Sequence, residues 1–148
     1  MKNATLFSHD SDEWATPWSL FDELDKEFQF DMDPCATDEN RKCLLFFDKE
    51  ADGLKQNWGG YHVWCNPPYS QVTSWVRKAF MESRKTGTVV VMLLPARTDT
   101  KWFQNFVLHR SEIRFIKGRV KFGGAENNAP FPSMLVIYRG PEVGYESE

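Results

Sequence analysis

The sequence predicts a single-domain α/β fold, with a mainly parallel, twisted sheet that carries helices on both faces. Short apolar runs of strand length alternate with stretches whose apolar residues recur at helical spacing. The run at 88–94 is uninterrupted and rich in β-branched residues, as is typical of a central parallel strand covered on both faces. The 148 residues, 41% of them hydrophobic, suffice for one domain with its own core. We expect a trimmed domain at 13–139 between a polar tail at 1–12 and an acidic tail at 140–148.

The predicted elements begin close to the start of that domain. Thr16 and Pro17 predict a helix start, with Thr16 as the N-cap and Pro17 at the first helical position, and apolar residues follow at helical spacing up to Phe28. Alternating apolar and polar residues at 28–33 predict the first strand, which Pro34 ends. The remaining predicted elements are a short strand or edge at 41–47, a buried strand at 63–65, a helix at 72–84, the central strand at 88–94, a helix at 101–109 and two last strands at 113–116 and 134–138.

Composition excludes several kinds of protein. Cys35, Cys43 and Cys65 are an odd number in no Cys-x-x-Cys or Cys/His ligand spacing, so we expect reduced thiols and neither a disulfide framework nor a metal site. The sequence contains no run of about 18 apolar residues and no secretory signal pattern. We therefore expect a cytoplasmic protein with no membrane partner.

The most informative stretch is Asn66-Pro67-Pro68-Tyr69, which follows the predicted buried strand at 63–65. Each proline disfavours helical geometry in the residue before it, so the chain leaves the sheet extended and stiff. Two prolines also remove two backbone N–H donors, which leaves the Asn66 side-chain oxygen and the neighbouring carbonyls as acceptors. The Tyr69 ring can stack on a flat heterocycle. The loop therefore predicts a site for an aromatic ring with an exocyclic amine, and adenine is the obvious candidate.

The sequence resembles the S-adenosylmethionine-dependent DNA amino-methyltransferases, and most closely the small phage-type DNA N6-adenine methyltransferases. Asn66-Pro67-Pro68-Tyr69 matches the catalytic motif of that family at every position. The resemblance covers about residues 13–139 and includes Trp14-Ala15-Thr16-Pro17, Asp33-Pro34-Cys35-Ala36, Asp52-Gly53-Leu54 and the segments at 94–100 and 114–122. It implies a Rossmann-like methyltransferase fold, S-adenosylmethionine as cofactor without a metal, and a phage or prophage source.

The resemblance also implies roles for particular residues. The implied catalytic residues are Asn66 and Pro67, whose oxygens would hold the target amine, together with Pro68 and Tyr69 of the same loop. The implied cofactor-binding residues are Trp14, Thr16 and Pro17 at the methionine end, Asp33, Cys35 and Ala36 after the first strand, Asp52 and Leu54 ahead of the catalytic strand, and Asn66. In the family, an acid at the position of Asp52 accepts from the cofactor's adenine amine. The alternatives are a plain capped helix at Thr16 and an Asp-Gly turn at Asp52.

Charge is divided unevenly along the chain, although the formal net charge is only −3. Residues 1–70 carry a net charge of −8, and residues 71–121 carry +8. A basic half beside an acidic half suits a protein that binds phosphates on one side and a cationic sulfonium cofactor on the other. The candidate DNA-binding residues are Arg97, Arg119, Lys121 and Phe122. The alternatives are basic but merely solvated helix faces, an Arg97–Asp99 salt bridge, and a hairpin with Phe122 tucked inward.

These observations predict an enzyme that methylates adenine N6 in double- or single-stranded DNA and needs no obligate protein partner. The alternatives are cytosine-N4 or RNA adenine methylation, a catalytically idle cofactor- or DNA-binding module, and a protein glutamine methyltransferase. Only residues 97–133 offer room for target recognition. We therefore expect a short or lax recognition sequence.

Overall fold

The computed structural model describes residues 14–123 and 128–143, which form an open four-stranded sheet with helices on both faces. The expected tail at 1–12, residues 144–148 of the expected tail at 140–148, and residues 124–127 lie outside the described residues. The strands are β1 (His62–Cys65), β2 (Val89–Pro95), β3 (Glu112–Phe115) and β4 (Ser133–Arg139). Their order across the sheet is β1-β2-β4-β3.

The sheet is mixed, so the prediction of a mainly parallel sheet was wrong. β1 and β2 pair in parallel, whereas β4 is antiparallel to both β2 and β3. Three strands therefore share one direction, and β4 is inserted between β2 and β3 in the opposite direction. The sequence of β4 hides this reversal, because a buried apolar run looks the same whichever way its strand points.

The first two predicted strands are reduced to single bridges. Met32 pairs with Val63, and Asp33 pairs with Phe46, both in parallel orientation. The prediction of a full strand at 28–33 was wrong because Phe28 ends a helix and Gln29 adopts a left-handed conformation (φ 54°) as its C-cap. The predicted strand at 41–47 likewise contributes only its bridge at Phe46. These bridges extend the sheet beyond β1, so the loop after Asp33 lies beside the loop that follows β1.

Two helices pack on opposite faces of the sheet, as predicted. α1 (Trp18–Phe28) buries Phe21, Leu24 and Phe28, and α2 (Val72–Ser83) buries Val72, Trp75 and Val76. The side chains of β2 alternate between the two resulting cores: Val91 and Leu93 pack with the α1 residues, and Val90, Met92 and Leu94 with those of α2. The predicted helix at 101–109 is mainly a π-helix, Phe103–Val107, on the α2 side.

The segment after β4 is hydrogen-bonded to the turn before β2. The Gly140 N–H donates to the Thr88 carbonyl at 2.8 Å, and the Gly87 N–H donates to the Pro141 carbonyl at 2.8 Å. A Cβ at Gly140 would lie 2.2 Å from the Ser83 carbonyl oxygen, so this close approach requires glycine. Within residues 14–123 and 128–143, no helix is long and apolar enough to cross a membrane.

Candidate active site

A cavity of about 440 Å³ opens at the carboxyl end of β1, between the loops that follow Asp33 and Cys65. It lies where ligands bind in open α/β sheets. It brings together nine residues that the sequence singled out: Trp14, Thr16, Asp33, Cys35, Ala36, Asp52, Leu54, Asn66 and Pro68. Pro17 does not line it; Pro17 is the N-cap of α1.

The side-chain amide of Asn66 has one defined orientation at the edge of this cavity. Its Nδ2 donates to the backbone carbonyl of Trp14 and, at 2.9 Å, to the hydroxyl oxygen of Thr16. A carbonyl can only accept, so the nitrogen of the amide must face Trp14. Oδ1 therefore faces the opposite way, and the Tyr69 hydroxyl donates to it at 3.2 Å. An amide oxygen has two lone pairs, so it can accept a second donor.

The helix start at Thr16 differs from the prediction by one residue. Pro17, not Thr16, is the N-cap of α1, and no side chain caps the helix. The Thr16 hydroxyl accepts from Asn66 instead, and Thr16 is only 5% exposed. The sequence signal for a cap was a Thr-Pro pair, which does not distinguish a capping hydroxyl from one that binds a distant side chain.

Pro67 and Pro68 are both buried, and Tyr69 begins a short 3-10 turn, Tyr69–Gln71, that leads into α2. The Tyr69 ring meets Phe131 edge-on, with 5.5 Å between ring centroids. Burial raises the pKa of the Tyr69 hydroxyl, so the hydroxyl stays protonated and keeps donating to Asn66. The sequence predicted the ring of Tyr69 as a stacking surface but missed this second role of its hydroxyl.

Asp33 places a carboxyl group in the cavity wall with only 3% of the residue exposed. Burial raises its pKa to about 7, although the backbone N–H groups of Lys42 and Cys35 and the charge of Lys42 act in the opposite direction. The Lys42 N–H donates to Asp33 Oδ2 at 3.0 Å. The carboxylate is thus poorly compensated by the protein, which suits a cationic ligand group.

Asp52 and Gly53 form the wall of the cavity next to the loop that follows Asp33. Asp52 is left-handed (φ 62°), and its carboxylate accepts from the Leu54 N–H at 3.1 Å. Gly53 packs so closely that an added Cβ would lie 2.0 Å from the Pro34 carbonyl oxygen. The Asp-Gly turn that was the alternative at Asp52 is therefore present, and it also lines the cavity.

Glu82 is a buried carboxylate that the sequence analysis did not identify, and it stabilises this wall of the cavity. Glu82 on α2 accepts from the Trp58 N–H at 2.7 Å and from Lys85 Nζ at 2.8 Å. Burial tends to raise the pKa of Glu82, but the bonds from Lys85 and Trp58 and the charge of Lys78 outweigh it, so the pKa is lowered. The Trp58 indole N–H in turn donates to the Gly53 carbonyl at 3.0 Å. The network holds the Gly53 turn on α2.

Several residues line the cavity without having been predicted as site residues, among them Lys42, Asp48, Gln71 and Trp75. Asp48 had a usable signal, because it follows an apolar run just as Asp33 does. Trp75 was expected as a core residue of α2, and it is 5% exposed. Its indole N–H has no hydrogen-bond partner among residues 14–123 and 128–143, which leaves an unused donor in a cavity-lining side chain.

The candidate DNA-binding residues lie outside the cavity, and one of them is corrected. Phe122 is 1% exposed and packs against Trp14, so it cannot stack on a base without leaving the core. The inward-facing alternative is the one observed. Arg119 and Lys121 are exposed. Arg97 is also exposed and forms no ion pair with Asp99 in the described structure. Its guanidinium lies 6.0 Å from the centroid of the Phe131 ring.

The described residues contain no group of three or more His, Cys, Asp or Glu side chains that could hold a metal ion. The groups that the chain offers at this cavity include the Asn66 amide, the Asp33 and Asp52 carboxyl groups and aromatic side chains. Cys35 and Cys43 are partly buried, Cys65 is buried, and none of the three forms a disulfide within the described residues. Burial raises the pKa of Cys43 to about 12 and that of Cys65 above its usual range, so neither is a ready nucleophile.

Comparison with known proteins places this geometry in a family. The sequence profile of the DNA N-6-adenine-methyltransferase (Dam) family matches residues 3–143. A DNA N-6-adenine-methyltransferase of Haemophilus phage HP1 is 36% identical over 155 aligned positions, which cover 99% of this chain and 89% of the phage protein. One of Escherichia phage T1 is 37% identical over 108 positions, which cover 72% of this chain and 45% of that protein. The chain belongs to the Dam family of DNA N-6-adenine-methyltransferases.

Proposed function

We propose that this protein transfers a methyl group from S-adenosylmethionine to the exocyclic N6 amine of an adenine that has been turned out of DNA. The observation that carries the proposal is the fixed orientation of Asn66, whose Oδ1 is turned away from Trp14 at the edge of the cavity. An acceptor held in this way can bind the amine of a base that enters from outside. The family membership and the names of the two phage relatives agree with this chemistry.

The cavity fits S-adenosylmethionine by charge and by unused hydrogen-bonding groups, and we propose a Rossmann-like arrangement in which it holds this cofactor. The buried Asp33 carboxylate would meet the cationic methionine end, near Trp14, Thr16 and Pro17. Asp52 would accept from the adenine amine, with Leu54, Cys35 and Ala36 as walls. Asp48 follows the bridge residue Phe46, where an acid commonly binds ribose hydroxyls in nucleotide-binding folds. When bound, the cofactor supplies the electrophilic methyl group.

Asn66 and the Pro67 carbonyl would act on the target amine. The N6 lone pair of adenine is delocalised into the ring and is a poor nucleophile. Acceptors that hold both N6 hydrogens would favour tetrahedral geometry at the nitrogen and direct its lone pair toward the cavity. This is catalysis by positioning and electrostatics, and it requires neither a covalent intermediate nor a metal.

The target base would lie between aromatic side chains beside Asn66. Turning a base out of its stack costs a few kcal/mol, and stacking on Tyr69 offsets part of that. Phe131 replaces Phe122 as the second candidate, because it meets both Tyr69 and Trp14 edge-on, at centroid distances of 5.5 and 5.8 Å. The guanidinium of Arg97 lies over Phe131 and would reach the phosphate next to the extruded base.

Arg119 and Lys121 would contact the DNA backbone, and residues 71–121 carry a net charge of +8 that favours a polyanion. We retain the proposal of a short or lax target sequence, because base-reading groups would have to come from residues 97–133.

Product analysis tests the function directly. The purified chain is incubated with labelled S-adenosylmethionine and unmethylated DNA, single-stranded DNA or RNA, and the nucleosides are separated after digestion. The proposal predicts N6-methyladenine in DNA. Label in N4-methylcytosine, in RNA alone or in protein would contradict it, and so would the absence of any transfer despite bound cofactor.

A further inference from the structure

The amide of Asn66 is held by groups that lie far from it in sequence. Its Nδ2 donates to Thr16 Oγ1 at 2.9 Å, across 50 residues, and to the backbone carbonyl of Trp14. Both acceptors belong to the short segment 14–16 that precedes α1. The Thr16 side chain is buried, so water does not compete freely for this bond.

These two bonds use both hydrogens of the amide and so select one of its two flipped orientations. A half-turn of the amide would bring Oδ1 against the Trp14 carbonyl, where two acceptors would face each other without a proton between them. The Thr16 hydroxyl could adapt to that half-turn by donating, but the carbonyl could not. The two acceptors therefore act together: the carbonyl excludes the wrong orientation, and the hydroxyl holds the amide in the right one.

Segment 14–16 is itself fixed to the chain between β3 and β4. The Gly123 N–H donates to the Ala15 carbonyl at 2.9 Å, in an antiparallel bridge between these two residues. The Trp14 ring packs against Phe122 and Phe131, at centroid distances of 5.3 and 5.8 Å. Asn66 is thus oriented by a segment that is held by the chain between β3 and β4, and its position does not depend on the catalytic loop alone.

From this geometry we propose that Thr16 is a positioning residue for the methyl-transfer step, because its buried hydroxyl, with the Trp14 carbonyl, orients the amide of Asn66 toward the target amine. This role goes beyond lining the cofactor cavity, and it rests on the proposed function. It predicts that loss of the hydroxyl changes turnover rather than cofactor affinity.

The test compares Thr16→Val with Thr16→Ser. Valine keeps the shape of threonine but cannot accept from Asn66, whereas serine keeps the acceptor. Thr16→Val is expected to lower kcat about 10- to 100-fold, because a small misplacement of a positioning group has effects of that order. Thr16→Ser should recover most of the kcat that Thr16→Val loses, and the Kd for S-adenosylhomocysteine, measured by calorimetry, should change less than kcat in Thr16→Val. An unchanged kcat with a weakened Kd in Thr16→Val would overturn the proposal, since the hydroxyl would then serve the cofactor alone.

A spectroscopic readout separates this proposal from the proposed function. In ¹⁵N-labelled protein, the side-chain NH₂ signal of Asn66 is assigned by its loss in Asn66→Asp. Thr16→Val should shift that signal and Thr16→Ser should not; an Asn66 signal unchanged in Thr16→Val would overturn the proposal even if activity fell. Absence of methyl transfer in the wild type would count against the proposed function, while the NH₂ signal would still show whether Thr16 holds Asn66.

Discussion

At the scale of single residues, the buried carboxyl group of Asp33 predicts how the stability of the fold depends on pH. Its pKa in the folded protein is about 7, because the carboxyl group is buried. The usual value is about 4, so the folded state without ligand binds more protons than the unfolded state between about pH 4 and pH 7. The contribution of Asp33 to the free energy of unfolding is therefore lost as pH rises from about 4 to about 7.

The ammonium group of S-adenosylhomocysteine would reverse this preference of Asp33, because a nearby cation favours the ionised carboxylate. We expect the affinity for S-adenosylhomocysteine to increase as pH rises from about 6 to about 8, since Asp33 then no longer needs to lose a proton on binding. Asp33→Asn should bind more weakly and lose most of this dependence. Calorimetric titration at several pH values measures the Kd for S-adenosylhomocysteine in both proteins. An equally steep pH dependence in Asp33→Asn would show that another group is responsible.

At the scale of elements, the site is built where two loops touch. Gly53 lies against the Pro34 carbonyl, and the Trp58 and Glu82 bonds hold the Gly53 turn on α2. Because both loops are short and in contact, a displacement of one loop must also move the cavity-wall residues of the other loop.

Gly53→Ala should therefore separate the two loops. Its Cβ would meet a backbone oxygen at 2.0 Å, which cannot rotate away. We expect a loss of about 1–3 kcal/mol in the free energy of unfolding, as for other overpacked sites, with cofactor affinity lowered about tenfold or more. Chemical denaturation and calorimetry measure the two effects.

Gly59→Ala is the matched control, because its Cβ would meet the flexible Lys85 side chain at 2.8 Å. It should lose little affinity. If Gly53→Ala bound the cofactor as tightly as Gly59→Ala, the contact between the two loops would have no part in binding.

At the scale of the whole molecule, the acidic and basic halves suggest separate tasks for cofactor and DNA. Arg119 and Lys121 are exposed in the basic half, and Lys26 is exposed on α1 in the acidic half. If both basic residues contact phosphates, Arg119→Gln with Lys121→Gln should reduce the slope of log Kd against log salt by about 2. Fluorescence anisotropy with a labelled duplex measures this slope. Lys26→Gln should leave it unchanged, and an equal effect of Lys26→Gln would mean that only net charge matters.

The sequence predicted the parts of this molecule that depend on local patterns. The helix of α2, the strands β1 and β2 and the shared cavity all follow from apolar spacing and from loops at strand ends. The antiparallel insertion of β4 was missed because direction leaves no trace in an apolar run. The two strands predicted before β1 are shorter than expected, because each pairs through a single bridge. The alternation of apolar and polar residues at 28–33 does not reveal that Phe28 completes a helix.

The sequence pointed to several residues of the cavity wall, but it did not predict the hydrogen bonds between them. Asn66, Asp33 and Asp52 were identified by type and position, and all three line the cavity. The bond between Asn66 and Thr16 joins residues that are far apart in sequence, and no spacing rule predicts such a pair. Phe122 was misjudged because an aromatic residue among basic ones has the same pattern whether it faces solvent or core.

The most direct test of the account is Asn66→Ala, measured in two assays on one preparation. Methyl transfer to DNA should fall at least 10²- to 10³-fold, as for the loss of other preorganised polar groups, while the Kd for S-adenosylhomocysteine should stay within about threefold of wild type. Loss of cofactor binding together with activity would show that Asn66 is structural, and retention of activity would show that the amine is held elsewhere; either result would contradict the account.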